Sequence, residues 1–71
     1  MNITPDQTKK LLTGNLTFSQ LGFSMLVTRL KGVYAKDSSP AVLQNCVNEI
    51  NAFLQKYASI AGSDMSVISK L

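Results

Sequence analysis

The sequence predicts an all-α fold: a small helical bundle built on an antiparallel hairpin of helices 2 and 3, with a short N-terminal helix and completion by dimerisation. Three observations support this prediction. The segment 40–61 carries apolar residues at alternating spacings of three and four, the chain contains three helix starts, and turn residues separate the helical segments. At 71 residues the chain has room for one helical domain, 1–71, with one core.

The first helix start is at the N-terminus. Thr4 is a typical N-cap residue, a proline follows at the first helical position, and Gln7 is placed to complete a capping box. Helix 1 is predicted over about 5–13, with Gly14 ending it through a left-handed cap. Because its only large apolar residues are two adjacent leucines, we expect helix 1 to be too small to cover the remaining apolar surface of helix 2.

Helix 2 is predicted over about 18–35, after a second capping box that begins at Thr17. At 100° per residue it has two apolar faces. One is broad and the other is formed by Phe18, Leu21 and Met25. A helix that is apolar on two sides needs cover on two sides, so we expect apolar surface to remain for a partner, most simply a second copy in a two-fold dimer.

Helix 3 is predicted over about 40–61, where Ser39 and Pro40 give the cap and the first turn. Its apolar positions repeat as the a and d positions of a coiled coil do: Leu43, Cys46, Ile50, Phe53, Tyr57 and Ile60. Beside them runs a stripe of amide side chains: Gln44, Asn48, Asn51 and Gln55. This stripe is either a solvated face or a polar surface that meets another helix, a peptide or a nucleic-acid backbone. A short helix over about 64–70 is also predicted.

The composition argues against an enzyme and against a metal site. The chain has one cysteine and no histidine, which excludes an internal disulfide and a four-ligand zinc site. Cys46 lies at a core position with no base to activate it, and the four acidic residues are far apart in the sequence. We therefore expect no catalytic residues and no cofactor, and a partner subunit remains as the source of added stability.

The distribution of charge and hydrophobicity bears on localisation. The net charge is +3, and the seven cations are spread along the chain. The most apolar stretch, 16–30, is interrupted by polar residues and is too short to span a membrane, so we expect no membrane association. The N-terminus lacks the order of basic and apolar residues found in secretory signals. These features predict a cytoplasmic protein.

The segment 18–32 resembles a DNA-binding helix-turn-helix, in which a glycine marks the turn before the recognition helix. Gly22 would be that glycine, and the candidate nucleic-acid contacts would be Arg29, Lys31 and Lys36. Two residues depart from the pattern: Phe18 is bulky where a small residue is favoured, and Thr28 stands where an apolar residue is expected. The resemblance implies, as the alternative function, a basic DNA-binding regulator.

The function that the sequence favours is that of a small non-enzymatic interaction module in a regulatory, adaptor or assembly role. It would associate with itself, as a homodimer or higher oligomer, and with another protein. The apolar patch of Phe18, Leu21 and Met25 is the first candidate surface, and the amide stripe of helix 3 is the second.

Overall fold

The computed structural model describes residues 2–16, 18 and 21–59. Among these residues there are three α-helices and no strand: α1 (Pro5–Thr13), α2 (Leu21–Lys36) and α3 (Pro40–Ala58). Each helix packs against the other two. The prediction of a small all-α bundle is therefore confirmed.

Helix α1 spans the residues that the sequence predicts, and the capping box is present. The amide N–H of Gln7 donates to Oγ1 of Thr4 at 3.2 Å, and the amide N–H of Thr4 donates to Oε1 of Gln7 at 3.0 Å. The prediction of a left-handed cap at Gly14 is wrong. The backbone of Gly14 is extended, with φ of −93° and ψ of 174°. Glycine is favoured there for another reason: a Cβ atom would lie 2.8 Å from the carbonyl oxygen of Lys10.

Helix α2 begins at Leu21, so the predicted start at residue 18 is wrong. Phe18 precedes the helix and packs its ring edge-on against the ring of Phe23, with centroids 4.8 Å apart. Residues five apart on one helix lie about 140° apart around its axis, so this contact could not form if both residues were helical. The contact with Phe23 is therefore consistent with the position of Phe18 outside α2.

Helices α2 and α3 form the predicted antiparallel hairpin across a turn at residues 37–39. Phe23 packs against Phe53 with ring centroids 5.5 Å apart, and further along α2 the guanidinium of Arg29 meets the carboxylate of Glu49. From the first contact to the second, the residue number rises on α2 and falls on α3. The two helices therefore run antiparallel. At the turn, Oγ of Ser39 caps α3 by accepting the amide N–H of Val42.

Helix α3 ends at Ala58, where the prediction placed the end at residue 61. The hydroxyl of Ser59, in a turn, donates to the carbonyl oxygen of Lys56 at 2.7 Å and satisfies one of the carbonyl groups at the helix end. Residues 60 and 61, and the predicted short helix over 64–70, lie outside the described residues.

The core lies between the three helices, and the two leucines of α1 belong to it. Leu11 and Leu12 are buried against α2 and α3, together with Ile3 from the segment before α1. The expectation that helix 1 is too small to cover the rest of helix 2 agrees with the exposure of Leu21 and Met25. The buried apolar residues are Ile3, Leu11, Leu12, Phe23, Val27, Leu30, Cys46, Val47, Ile50 and Leu54.

Candidate interaction surface

Two of the three residues in the predicted apolar patch are exposed. Leu21 is 72 % exposed and Met25 is 65 % exposed, and they lie one turn apart on α2. Phe23, Val27 and Leu30 of the same helix are buried, so Leu21 and Met25 project away from the core. Phe18, in contrast, is half-buried and packs against the core, so it does not belong to the exposed patch.

The exposed patch continues along α2 as a face without charge. Its members are spaced four, three, four and three residues apart, are all exposed, and are termed here the outer face of α2: Leu21, Met25, Thr28, Gly32 and Ala35. The hydroxyl of Thr28 donates to the carbonyl oxygen of Ser24 at 2.9 Å, so the polar atom of this side chain is bonded within the helix. The face therefore has bulky apolar residues at its N-terminal end and small residues at its C-terminal end.

Substitution of Gly32 and of Gly14 by alanine tests whether the surroundings of these two glycines differ as the structure shows. A Cβ atom on Gly32 would meet nothing within 4 Å, whereas one on Gly14 would clash with backbone. Gly32→Ala is expected to raise the free energy of unfolding of the monomer by about 1 kcal/mol, because alanine favours the helix. Gly14→Ala is expected to lower it. Urea unfolding at low micromolar concentration measures both, and the same sign for the two variants would contradict the prediction.

The amide stripe of α3 does not form one surface. Asn51 is half-buried: its Oδ1 accepts the amide N–H of Ile3 at 2.6 Å, and its Nδ2 donates to the carbonyl oxygen of Ile3 at 3.4 Å. This residue therefore fixes the segment before α1, and its assignment to an interaction surface is corrected. Gln44 and Asn48 are exposed and hydrogen-bonded to each other at 3.0 Å, and Gln55 is exposed.

The candidate nucleic-acid contacts are largely engaged within the chain. Nη2 of Arg29 lies 2.6 Å from Oε1 of Glu49, and Nζ of Lys31 donates to the carbonyl oxygen of Gly14 at 2.7 Å. Lys36 is exposed at the end of α2.

The segment 18–32 does not fold as a helix-turn-helix. Its residues 21–32 belong to one uninterrupted helix, so Gly22 marks no turn, and Phe18 precedes that helix. The turn that the resemblance implies at Gly22 is therefore not formed, because this glycine lies inside α2.

Cys46 is a buried free thiol between α2 and α3. Burial raises the pKa of this thiol above its ordinary value, the nearby carboxylate of Glu49 adds to the rise, and Arg29 opposes it. A buried thiol that stays protonated acts as a small apolar side chain, not as a nucleophile. Cys46 thus belongs to the packing of the bundle.

The described residues contain no cluster of three or more histidine, cysteine or acidic side chains that could hold a metal ion. None of the three helices has the length and hydropathy needed to cross a membrane. No protein-family model, curated protein or solved structure matches this chain.

Proposed function

We propose that the protein is a small non-enzymatic helical interaction module that associates with itself through the outer face of α2. The observation that carries the proposal is the exposure of two neighbouring large apolar side chains, Leu21 and Met25, on the side of α2 opposite the core. Single exposed apolar residues are common on protein surfaces, whereas large contiguous apolar patches mark contact surfaces. The face has no charged residue, so nothing on it opposes burial.

The size of the surface indicates weak, reversible association. Fully burying a leucine or methionine is worth about 1.5 to 3 kcal/mol, so four such side chains in a dimer, each about 70 % exposed beforehand, contribute about 4 to 8 kcal/mol. Association itself costs about 4 kcal/mol or more. The balance, at most about 4 kcal/mol, corresponds to a dissociation constant of about 1 mM or weaker. Such a module suits a regulatory or assembly role in which subunits exchange.

DNA binding, the alternative from the sequence, has less support. Residues 21–36 form one helix, so Gly22 does not mark a turn before a recognition helix, and Arg29 and Lys31 have partners within the chain. Sequence readout also requires polar side chains that reach base edges, and the exposed residues at the start of α2 are Leu21 and Met25. Protein association is therefore the function that we propose.

The test replaces Met25 by aspartate and measures molar mass by sedimentation from low micromolar to low millimolar concentration. Ala52→Asp is the matched control, since it adds the same charge at an exposed position of α3. We expect the mass of the wild type to rise with concentration, Met25→Asp to weaken association at least tenfold, and Ala52→Asp to leave it unchanged. Circular dichroism is expected to show equal helicity in all three.

Two results would contradict the proposal. A wild-type protein that stays monomeric over the whole concentration range would show that the outer face of α2 does not drive self-association. A loss of helicity in Met25→Asp, but not in Ala52→Asp, would show instead that Met25 contributes to the folded monomer.

A further inference from the structure

The segment before α1 is held on the bundle by a small set of contacts. This segment, residues 2–4, is termed here the Ile3 segment. The side chain of Ile3 is buried in the core, whereas Asn2 and Thr4 on either side of it are exposed. Between described residues, the hydrogen bonds that the segment makes beyond α1 both go to the side-chain amide of Asn51 on α3. One apolar side chain and one amide therefore hold the segment in place.

Asn51 binds the backbone of the segment and not its side chains. Its Oδ1 accepts the amide N–H of Ile3, and its Nδ2 donates to the carbonyl oxygen of the same residue. A neighbouring β-strand binds both backbone groups of one residue in a similar way. Every residue except proline offers these two groups, so this contact suits an extended backbone of many sequences.

Apolar side chains surround this amide on α3. Val47 lies one turn before Asn51 and Leu54 lies one turn after it, so the three residues share one side of the helix. Val47 and Leu54 are buried and belong to the same core cluster as Ile3. The structure thus combines an amide that binds a peptide backbone with an apolar position that holds one branched side chain.

We propose that Asn51 and the core position of Ile3 form a docking site for an extended peptide with one branched apolar side chain, and that the Ile3 segment occupies this site in cis as an autoinhibitory strap. Main-chain hydrogen bonds and a pocket for a single side chain are the two elements by which proteins bind extended peptides. The proposal is independent of self-association through α2, since neither Ile3 nor Asn51 belongs to the outer face of α2.

The segment can leave the site without unfolding of the bundle, because α1 has its own contacts. Leu11 and Leu12 of α1 are buried. Thr4 also remains with α1, because its hydroxyl oxygen accepts the amide N–H of Gln7 and its carbonyl oxygen accepts the hydroxyl of Thr8. Opening therefore removes one apolar side chain and two hydrogen bonds from the bundle, which is a local event of the kind that hydrogen exchange detects.

Native-state hydrogen exchange on the full wild-type chain measures this opening. We expect the protection factor of the Ile3 amide to be at least tenfold smaller than that of the Ile50 amide in the core of α3. Exchange at Ile3 should also be insensitive to low concentrations of urea, because local opening exposes little surface. Equal protection and equal urea dependence at the two amides would show that the segment leaves only when the bundle unfolds, and would overturn the proposal.

The docking test uses the full chain with Ile3→Ala, which weakens the strap, and a synthetic peptide with the sequence of residues 1–5. At millimolar concentration the peptide is expected to raise the urea midpoint of this variant and to shift the side-chain amide resonances of Asn51. It should bind the wild type at least tenfold more weakly, because the tethered segment competes at a high effective concentration.

Two altered peptides are the matched controls. One has alanine in place of isoleucine, and the other is N-methylated at the isoleucine and cannot donate to Oδ1 of Asn51. Each is expected to bind Ile3→Ala at least tenfold more weakly than the unmodified peptide. Equal binding of the N-methylated peptide, or equal binding to wild type and Ile3→Ala, would place the contact elsewhere and overturn the proposal. So would the absence of any effect of the peptide on Ile3→Ala, whether that variant alone is folded or unfolded.

Discussion

Phe23→Ala is expected to unfold the protein or to lower its free energy of unfolding by about 3 to 5 kcal/mol, the cost of truncating a buried phenylalanine. Phe23 is fully buried, and its ring contacts Phe18 before α2 and Phe53 on α3. Its loss would leave a cavity between the helices and release the connection before α2. A stability of about 0.05 to 0.15 kcal/mol per residue leaves a chain of this length little in reserve.

Urea unfolding followed by circular dichroism measures this effect. Leu21→Ala is the matched control, because it removes a large apolar side chain from the same helix at a position that is 72 % exposed. We expect that variant to change the free energy of unfolding by about 0.5 kcal/mol or less. Equal losses in the two variants would show that the burial of Phe23 does not stabilise the bundle as described.

Asn51→Ala is expected to lower the free energy of unfolding by about 1 to 3 kcal/mol, the cost of leaving buried backbone groups without partners. The amide of Asn51 binds both the N–H and the carbonyl oxygen of Ile3, and the side chain of Ile3 is buried in the core. Its loss should loosen the segment before α1. Hydrogen exchange at the amide of Ile3 is expected to become faster, and chemical denaturation gives the free energy.

Asn48→Ala is the matched control for this prediction. Asn48 is an exposed asparagine on the same helix, and its hydrogen bond is to the exposed side chain of Gln44. Both variants gain the same helix propensity from alanine, so the difference between them isolates the contact with Ile3. If Asn51→Ala is no less stable than Asn48→Ala, the contact does not contribute to stability.

The helix starts that depend on neighbouring residues could be predicted from the sequence. The capping box of Thr4 and Gln7 involves residues three apart, and so does the cap of Ser39 on Val42. These hydrogen bonds join residues that are close in the sequence, so the local residue pattern predicts them. The start of α2 could not be predicted in this way, because the contact of Phe18 with the ring of Phe23 competes with the local helix signal.

For the candidate interaction surface, too, some features could be predicted from the sequence and others depend on tertiary contacts. Periodicity placed Leu21 and Met25 on a second apolar face of helix 2, and it placed four amides in one stripe of helix 3. It could not show that Asn51 binds Ile3 while Asn48 is exposed, because residues 48 positions apart meet only when α1 packs across the hairpin. The open space above Gly32 also required coordinates.

The sequence by itself determined the three helices of the described residues and the hairpin of α2 and α3, because caps and periodicity are local properties of the chain. Only the tertiary structure decided which apolar side chains are covered. Phe18 is half-buried while Leu21 and Met25 are exposed, although all three belong to the same predicted patch. The physical reason is that burial depends on what packs against a helix, and α1 and α3 cover α2 on one side and leave its outer face exposed.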